Sequence, residues 1–222
     1  MCSTLILQNK ESNEITKFDL CKTRKEYKFI MKEILGTGKI NHSIWSENDL
    51  EELRKKAAEG SIGAKIELAV LEIEDEHDVE KNIAFLEDCA EKENSQALIN
   101  LYFLYSLTDY EKAFCYIKKA TDLGSAWAME ILAINYMLMR ISCNEDDLIK
   151  EYFLEQEKWH LASHKASETE KNDLLPSGIV LNMNELANLY ENSNPKNPLY
   201  NTEKATEWRE KAKKLAKEIN ED

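Results

Sequence analysis

Residues 112–136 read KAFCYIKKATDLGSAWAMEILAINY and place small side chains at regular intervals. In the first nine of these residues, Ala113, Tyr116 and Ala120 are spaced three and four apart, which sets them on one face of a helix. Gly124 follows at a point where a helix can end in a left-handed residue. A second apolar run comes directly after it. The stretch therefore predicts a helix, a tight turn and a second helix.

The same pattern recurs along the chain. Two other stretches match its first nine residues: KATEWREKA (204–212) and, more weakly, KNIAFLEDC (81–89). Around its second helix, three segments align without gaps, and their alanines Ala64, Ala97 and Ala128 lie 33 and 31 residues apart. Alanine and glycine let two helices of a hairpin approach closely, and the aromatic residue fills the space beside them. Because one hairpin cannot bury its apolar face alone, neighbouring hairpins must stack.

This pattern resembles the Sel-one-like repeat, a family of short helical hairpins of the tetratricopeptide type. The family consensus runs roughly KAxxWYxKAAxxGxxxAxxxLGxxY, and residues 112–136 follow it closely. The resemblance covers about 50–140 well and about 180–215 moderately. It implies an all-α fold, a right-handed α-solenoid of stacked helical hairpins. Two departures stand out: Asn182 replaces the expected alanine and Glu93 the usual glycine.

The chain divides into a non-repeat N-terminal segment, 1–45, and a repeat domain, 46–222. In the first part, Thr4–Gln8 and Glu14–Leu20 alternate in part and predict a small β-hairpin, and Lys22–Leu35 predicts a helix. In the second part, a helix starts at Ser46 and runs to about Glu59. Hairpins are then expected at roughly 61–92, 94–123 and 125–170, with a final pair at about 180–192 and 202–220.

One insertion exceeds the length of the repeat. A long acidic and aromatic helix starts at Glu145, and a polar stretch with Pro176 and Gly178 breaks it, so the insertion spans about 145–178.

Composition limits the classes of function. The 222 residues include 29 basic and 42 acidic ones, a formal charge of −13, with 43% hydrophobic residues. Such a surface repels nucleic acid and favours encounter with a positively charged protein, although it equally serves solubility. No stretch approaches the roughly 20 apolar residues that span a bilayer, and the start lacks the pattern of a secretory signal. Five cysteines without a CxxC pair indicate reduced thiols, so we expect a cytoplasmic protein without membrane insertion.

The first helices of the central hairpins are apolar nearly all round, which implies burial on both faces. One row of their residues lies opposite the Ala–Leu–Tyr face: Ile66, Val70, Ile73, Ile99, Phe103, Leu107, Trp127, Ile134 and Leu138. The matching positions in the last hairpin, Asn184 and Asn188, are polar, so the row ends there. An apolar surface of that size is rarely left to water.

Two interpretations of this groove stay open. In one, the N-terminal segment or the long helix around Trp159 packs into it. In the other, it accepts a helix or an extended segment of another protein. Trp127 is the first candidate contact, because tryptophan is enriched in binding hot spots. The further candidates in the groove are Tyr102, Phe103, Tyr105, Glu130 and Ile134.

An acidic run marks the turn of the first hairpin. It includes Glu74, Asp75, Glu76 and Asp78. Most such runs are merely solvated. As a binding hypothesis, this run docks a basic patch of a partner.

The sequence offers no convincing chemistry, so we expect no catalytic residue, cofactor or metal. His160 and His164 have the i, i+4 spacing of metal ligands, but no HExxH accompanies them, which favours a structural or solvent-facing role. Cys89 and Cys115 are expected to be small packed residues, and buried thiols are poor nucleophiles.

Three functions are compatible with these observations. The first is a protein-binding scaffold, in its sharper form a bacterial immunity protein that occludes a cognate toxin or effector, including a basic one; the resemblance implies this role because some proteins of this repeat type act so. The second is an adaptor or regulator in a signalling or secretion complex. The third is a repeat-bearing hydrolase, but the cysteine-rich relatives that suggest it carry disulfide-paired helices, which five unpaired cysteines do not match.

Overall fold

The computed structural model describes residues 4–8, 15–19, 47–106, 108–169 and 172–221. Within these ranges lie two strands, β1 (Thr4–Gln8) and β2 (Ile15–Asp19), and the following helices. They are α1 (Glu47–Ala58), α2 (Ile62–Glu74), α3 (Val79–Glu91), α4 (Ser95–Tyr105), α5 (Tyr110–Asp122), α6 (Ala126–Ser142), α7 (Asp146–Ser167), α8 (Pro176–Glu191) and α9 (Thr202–Glu221).

The two strands pair antiparallel, with Thr4 opposite Asp19 and Gln8 opposite Ile15. They lie where the partly alternating runs predict strands. The helix expected at Lys22–Leu35 lies outside the described residues, and the boundary between 1–45 and 46–222 stays a prediction.

The helices confirm the predicted series of hairpins, α2–α3, α4–α5, α6–α7 and α8–α9. The long helix is α7, with 22 residues. One boundary was wrong, because α8 begins at Pro176 and not near residue 180. Proline suits the first turn of a helix, since its missing N–H would have no intrahelical partner there and its φ is already helical. The break therefore lies before Pro176, and Gly178 is helical.

Three turns that join one hairpin to the next share one structure. Each has a capping side chain that accepts a hydrogen bond from the backbone N–H three residues on: Ser61 from Ala64 (3.3 Å), Asn94 from Ala97 (3.0 Å) and Ser125 from Ala128 (3.0 Å). The residue before each cap has a positive φ, 103° at Gly60, 60° at Glu93 and 90° at Gly124. This confirms the left-handed helix ends predicted at the two glycines. Glu93 adopts the same conformation despite its Cβ.

The chain forms two compact units, 1–120 and 121–222. In the first unit, α2 packs against α1, α3 and α4. Its main core cluster consists of Ile66, Ala69, Leu86, Cys89, Ala97 and Leu101. A smaller cluster joins α1 to α2: Leu53, Ala57, Ala64 and Leu71. Helix α4 buries Ala97, Leu98, Ile99, Leu101 and Tyr102, so its nearly all-round apolarity corresponds to burial on both faces, as predicted.

In the second unit, α7 packs between α6 and α8, and α8 packs against α9. Leu186, Tyr190 and Ala205 form a core cluster, with Leu199 and Trp208 packed against it. Ala205 and Ala212 are 0% and 2% exposed. The small–aromatic–small pattern therefore lines a buried face of α9, as its spacing predicts.

One small residue of the repeat is not packed as expected. Cys89 is buried, but Cys115 is exposed. Helix α5 buries Ala113, Ile117 and Ala120. Position 115 is two residues, or about 200°, round the helix from Ala113, so its side chain faces water. In the part of the chain that the structure describes, no helix has the length and apolarity to cross a membrane.

Candidate protein-binding surface

The α2–α3 hairpin carries most of the net charge of the chain. Residues 62–91 include ten carboxylates and two lysines, with no arginine. At the turn, Asp75, Glu76 and Asp78 are exposed. Glu76 and Asp78 have φ angles of 59° and 47°, so the turn uses two left-handed residues that are not glycine.

A buried amide holds this turn in place. Asn82 donates hydrogen bonds from Nδ2 to Glu72 Oε2 at 2.8 Å and to the backbone oxygen of His77 at 3.2 Å. Asn82 occupies the first small position of the weakest repeat, KNIAFLEDC. The side chain thus links the start of α3 to the end of α2, and the carboxylates are displayed on a defined turn.

The acidic character continues along the outer face of α3. Glu80, Asp88 and Glu91 are exposed there, and Glu87 is half-buried. Lys92 pairs with Asp88 at 2.6 Å, and both side chains are more than half exposed. Such surface pairs contribute little to stability and exchange readily with other partners.

Glu87 lies at the centre of a group of contacting side chains, two of them aromatic, which we call the tyrosine patch: Glu87, Tyr105, Lys112 and Tyr116. Glu87 Oε1 accepts hydrogen bonds from Lys112 Nζ at 2.9 Å and from the hydroxyls of Tyr105 and Tyr116, each at 3.3 Å. The two rings stack with centroids 6.0 Å apart, and Lys112 Nζ lies 3.9 Å from the Tyr105 centroid. The hydrogen bond from Lys112 lowers the pKa of Glu87, which stays ionised. The ammonium group of Lys112 is therefore held by a carboxylate and an aromatic face together.

The other groove candidates of the first unit are Tyr102 and Phe103. Tyr102 is fully buried, and its ring meets that of Phe103 edge-on with centroids 5.2 Å apart. Phe103 is half-buried. Of the acidic candidates, Glu74 is the last residue of α2, and its side chain lies outside the described set.

In the second unit, Trp127 is half-buried on the first turn of α6. Its backbone N–H donates to Asp173 Oδ1 at 3.0 Å, and Ser125 Oγ donates to the other oxygen of the same carboxylate. Glu130 and Ile134 are each 1% exposed. The chain itself covers both residues, so neither offers a surface to a partner in this structure. That Tyr102 and Tyr105 flank Trp127 joins residues of the two units and stays a prediction.

Glu130 instead belongs to a cluster of buried polar residues, which we call the polar node: Glu130, Gln156, His160 and Asn182. Its carboxylate oxygen Oε2 lies 3.0 Å from His160 Nδ1 and accepts a hydrogen bond from Asn182 Nδ2 at 2.5 Å. Asn182 also donates to the backbone oxygen of His160 at 3.0 Å, and Gln156 Nε2 lies 3.4 Å from His160 Nε2. The node explains why Asn182 stands where the repeat expects alanine.

The two spaced histidines have separate environments. His160 is fully buried in the polar node, whereas His164 is half-buried and meets the Trp208 ring edge-on at 4.9 Å. Burial lowers the pKa of His164. In the described ranges, no group of three or more His, Cys, Asp or Glu side chains is placed to hold a metal ion.

Comparison with known proteins gives a likeness to a solved structure. No protein-family model matches the chain, and no curated protein matches it. The crystal structure of a Sel1 repeat protein from Oxalobacter formigenes is similar to 87% of this chain over 87% of its own, with 16% sequence identity and a TM-score of 0.38. A TM-score this low does not establish a shared fold. The description of the chain as a series of short helical hairpins of Sel1-like sequence pattern therefore rests on its own residues and helices.

Proposed function

We propose that this protein is a non-catalytic scaffold that binds another protein, and that its partner is a basic toxin or effector which it neutralises as an immunity protein. The observation that carries the proposal is the charge of the α2–α3 hairpin, ten carboxylates against two lysines. Three of these carboxylates are exposed on a turn that Asn82 holds. An acidic surface of this kind attracts a basic partner and accelerates its encounter.

The tyrosine patch supports the same partner chemistry. Lys112 already lies against the Tyr105 ring and Glu87, within the protein. A lysine or arginine of a partner that displaced Lys112 would find the same combination of ring and carboxylate. A half-buried tyrosine pair beside an acidic helix thus suits a surface that binds the cationic side chains of a partner.

The first test is co-expression with the product of the adjacent gene. An immunity protein is expected to form a stable complex with that product and to restore growth of cells in which the product alone is toxic. Complex formation without any effect on growth favours the second candidate, an adaptor of a signalling or secretion complex. A purified chain that turns over a substrate by itself would overturn both.

Charge-reversal variants test whether the acidic turn of the α2–α3 hairpin is the binding surface. We expect the triple variant Asp75→Lys, Glu76→Lys and Asp78→Lys to lose the complex and the protection. The matched control is Glu207→Lys, Glu210→Lys and Glu218→Lys, which reverses three exposed carboxylates on α9 and changes the net charge by the same amount. Equal loss in both triple variants would assign the effect to net charge and contradict the assignment to this turn.

A further inference from the structure

The polar node lies where three helices of the second unit meet, and nothing in the proposed function uses it. Glu130 comes from α6, Gln156 and His160 from α7, and Asn182 from α8. None of the four side chains is more than 2% exposed. Ionisable groups are rarely buried so completely, because removing a charge from water is costly unless a partner compensates it.

Acceptors outnumber donors in this node. Glu130 Oε1, Gln156 Oε1 and Asn182 Oδ1 are buried and have no hydrogen-bond partner among the described residues. A neutral imidazole supplies one N–H, which its Nδ1 gives to Glu130, whereas an imidazolium supplies two. With Nε2 also protonated, rotation of the Gln156 amide would turn its oxygen to that N–H. A proton on Nε2 would therefore supply a donor for one of these three acceptors, the Gln156 oxygen.

The charges that face the node also favour a protonated His160. Helix α6 contributes Glu130 and Arg140, helix α7 contributes His160, and helix α8 contributes Glu185. With His160 neutral and both carboxylates ionised, two negative charges face one positive charge. With His160 protonated, the four groups balance. One turn further along α7, His164 Nε2 lies 3.9 Å from Glu168 Oε1, and Lys211 of α9 acts on its charge, so it belongs to a separate environment.

We propose that the polar node is a proton-binding site, and that loss of its proton loosens helix α8 from α6 and α7. Protonation of His160 completes an ion pair with Glu130, whose other partner is the α8 side chain Asn182. Deprotonation leaves the carboxylate buried beside a neutral ring. Asn182 joins α8 to both neighbouring helices at this point. Loss of the proton should therefore weaken the packing of α8 against α6 and α7.

The sign of the effect follows from the two groups that titrate. Burial alone lowers the pKa of His160, but the charge and hydrogen bond of Glu130 outweigh it, so the pKa lies above its ordinary value. Burial raises the pKa of Glu185, while His160 opposes that change. Both groups hold a proton more tightly in the folded chain than in the unfolded one. The stabilisation is therefore complete below their unfolded pKa values and is lost as the pH rises through the folded ones.

The experiment uses the full chain and two readouts. Side-chain NMR follows the titration of the histidines, and amide hydrogen exchange, corrected for the intrinsic rate at each pH, reports the opening of α8 at pH 6.0 and 8.5. We expect His160 to titrate above about 6.5, the ordinary value for histidine. The opening constant of α8 should rise by up to about tenfold for each unit by which that pKa is raised.

Two variants test whether the pH response comes from the polar node or from residues near it. Glu130→Gln should move the His160 titration below its ordinary value and reduce the pH response of α8 to the part that Glu185 contributes, while His164→Gln should leave both unchanged. If Glu130→Gln does not fold, the wild-type titration still decides. A His160 that stays neutral from pH 5 upward, as it would beside a buried water molecule alone, would overturn the proposal. So would an α8 whose exchange responds to pH no more than that of α3.

Discussion

At the scale of single residues, the departures from the repeat pattern carry the most information. Asn182, Asn82 and Glu93 each stand where the pattern expects a small residue. Asn82 and Asn182 are buried and donate two hydrogen bonds each to groups of neighbouring helices or turns. A polar side chain at a close-packed position is tolerated because those bonds satisfy it.

Replacement of Asn182 by the consensus alanine is therefore expected to destabilise the protein. The variant Asn182→Ala removes a donor from the buried Glu130 carboxylate and from the His160 carbonyl, which costs about 1–3 kcal/mol of unfolding free energy. Asn184→Ala, at a half-buried position of the same helix, should change it by less than about 0.5 kcal/mol. Urea unfolding of both variants measures the difference, and a stabilised Asn182→Ala would contradict the role assigned to the node.

The residues that the sequence predicts correctly and those it misses differ in kind. The buried alanines and the two left-handed glycines follow from spacing along one helix, because a helical period fixes which side chains share a face. Glu130 was a candidate for partner binding, yet it is a core residue. Its partners His160 and Asn182 come from two other helices, and no spacing along the chain brings the three together. The available signal was three polar residues at positions where the helix pattern expects burial.

At the scale of elements, the repeated turn fixes where three of the hairpins begin, α2–α3, α4–α5 and α6–α7. A left-handed residue ends one helix, and the following Ser or Asn caps the next. The sequence pattern predicted the glycines but not the caps, since the capping role shows only when the side chain and the N–H three residues on are seen together. Among the three capped turns, Glu93 is the left-handed residue that carries a Cβ where the other two turns have glycine.

Replacement of Glu93 by glycine should stabilise the first unit. The left-handed conformation costs a residue with a Cβ about 1–2 kcal/mol, and glycine recovers part of this against its greater entropy in the unfolded chain. We expect Glu93→Gly to raise the unfolding free energy by about 0.5–1 kcal/mol. Glu93→Gln, which removes the charge and keeps the Cβ, is the matched control. Equal stabilisation in the two variants would show that charge, and not backbone strain, limits this turn.

The small side chains of the repeat should resist enlargement where they are buried. Ala113 is fully buried in α5, and Ala84 is exposed on α3. Ala113→Leu should cost about 1–3 kcal/mol because the added methyl groups force neighbouring side chains apart. Ala84→Leu should change the unfolding free energy by less than about 0.5 kcal/mol. Thermal or urea unfolding distinguishes them, and tolerance of leucine at 113 would remove the packing argument for the repeat.

At the scale of the whole molecule, charge is unevenly distributed along the sequence. Residues 62–91 hold ten carboxylates and two lysines, while residues 204–217 hold six basic and two acidic residues. An approaching basic protein is thus attracted to the α2–α3 hairpin and not to α9. This distribution could be read from the sequence alone. The hydrogen bonds of Asn82 at the acidic turn and the cation over the Tyr105 ring could not, because both depend on contacts between different helices.

The association rate of the chain with the product of the adjacent gene, measured against salt concentration, tests the central claim most directly. For a binding face formed by the acidic hairpin, the rate constant should fall by at least about tenfold between 50 and 500 mM salt, because screening removes the electrostatic attraction. The triple variant at residues 75, 76 and 78 should bind slowly at every salt concentration, and the α9 control should bind like the wild type. A fast association that is independent of salt, or no association at all, would contradict the claim that this hairpin captures a basic partner.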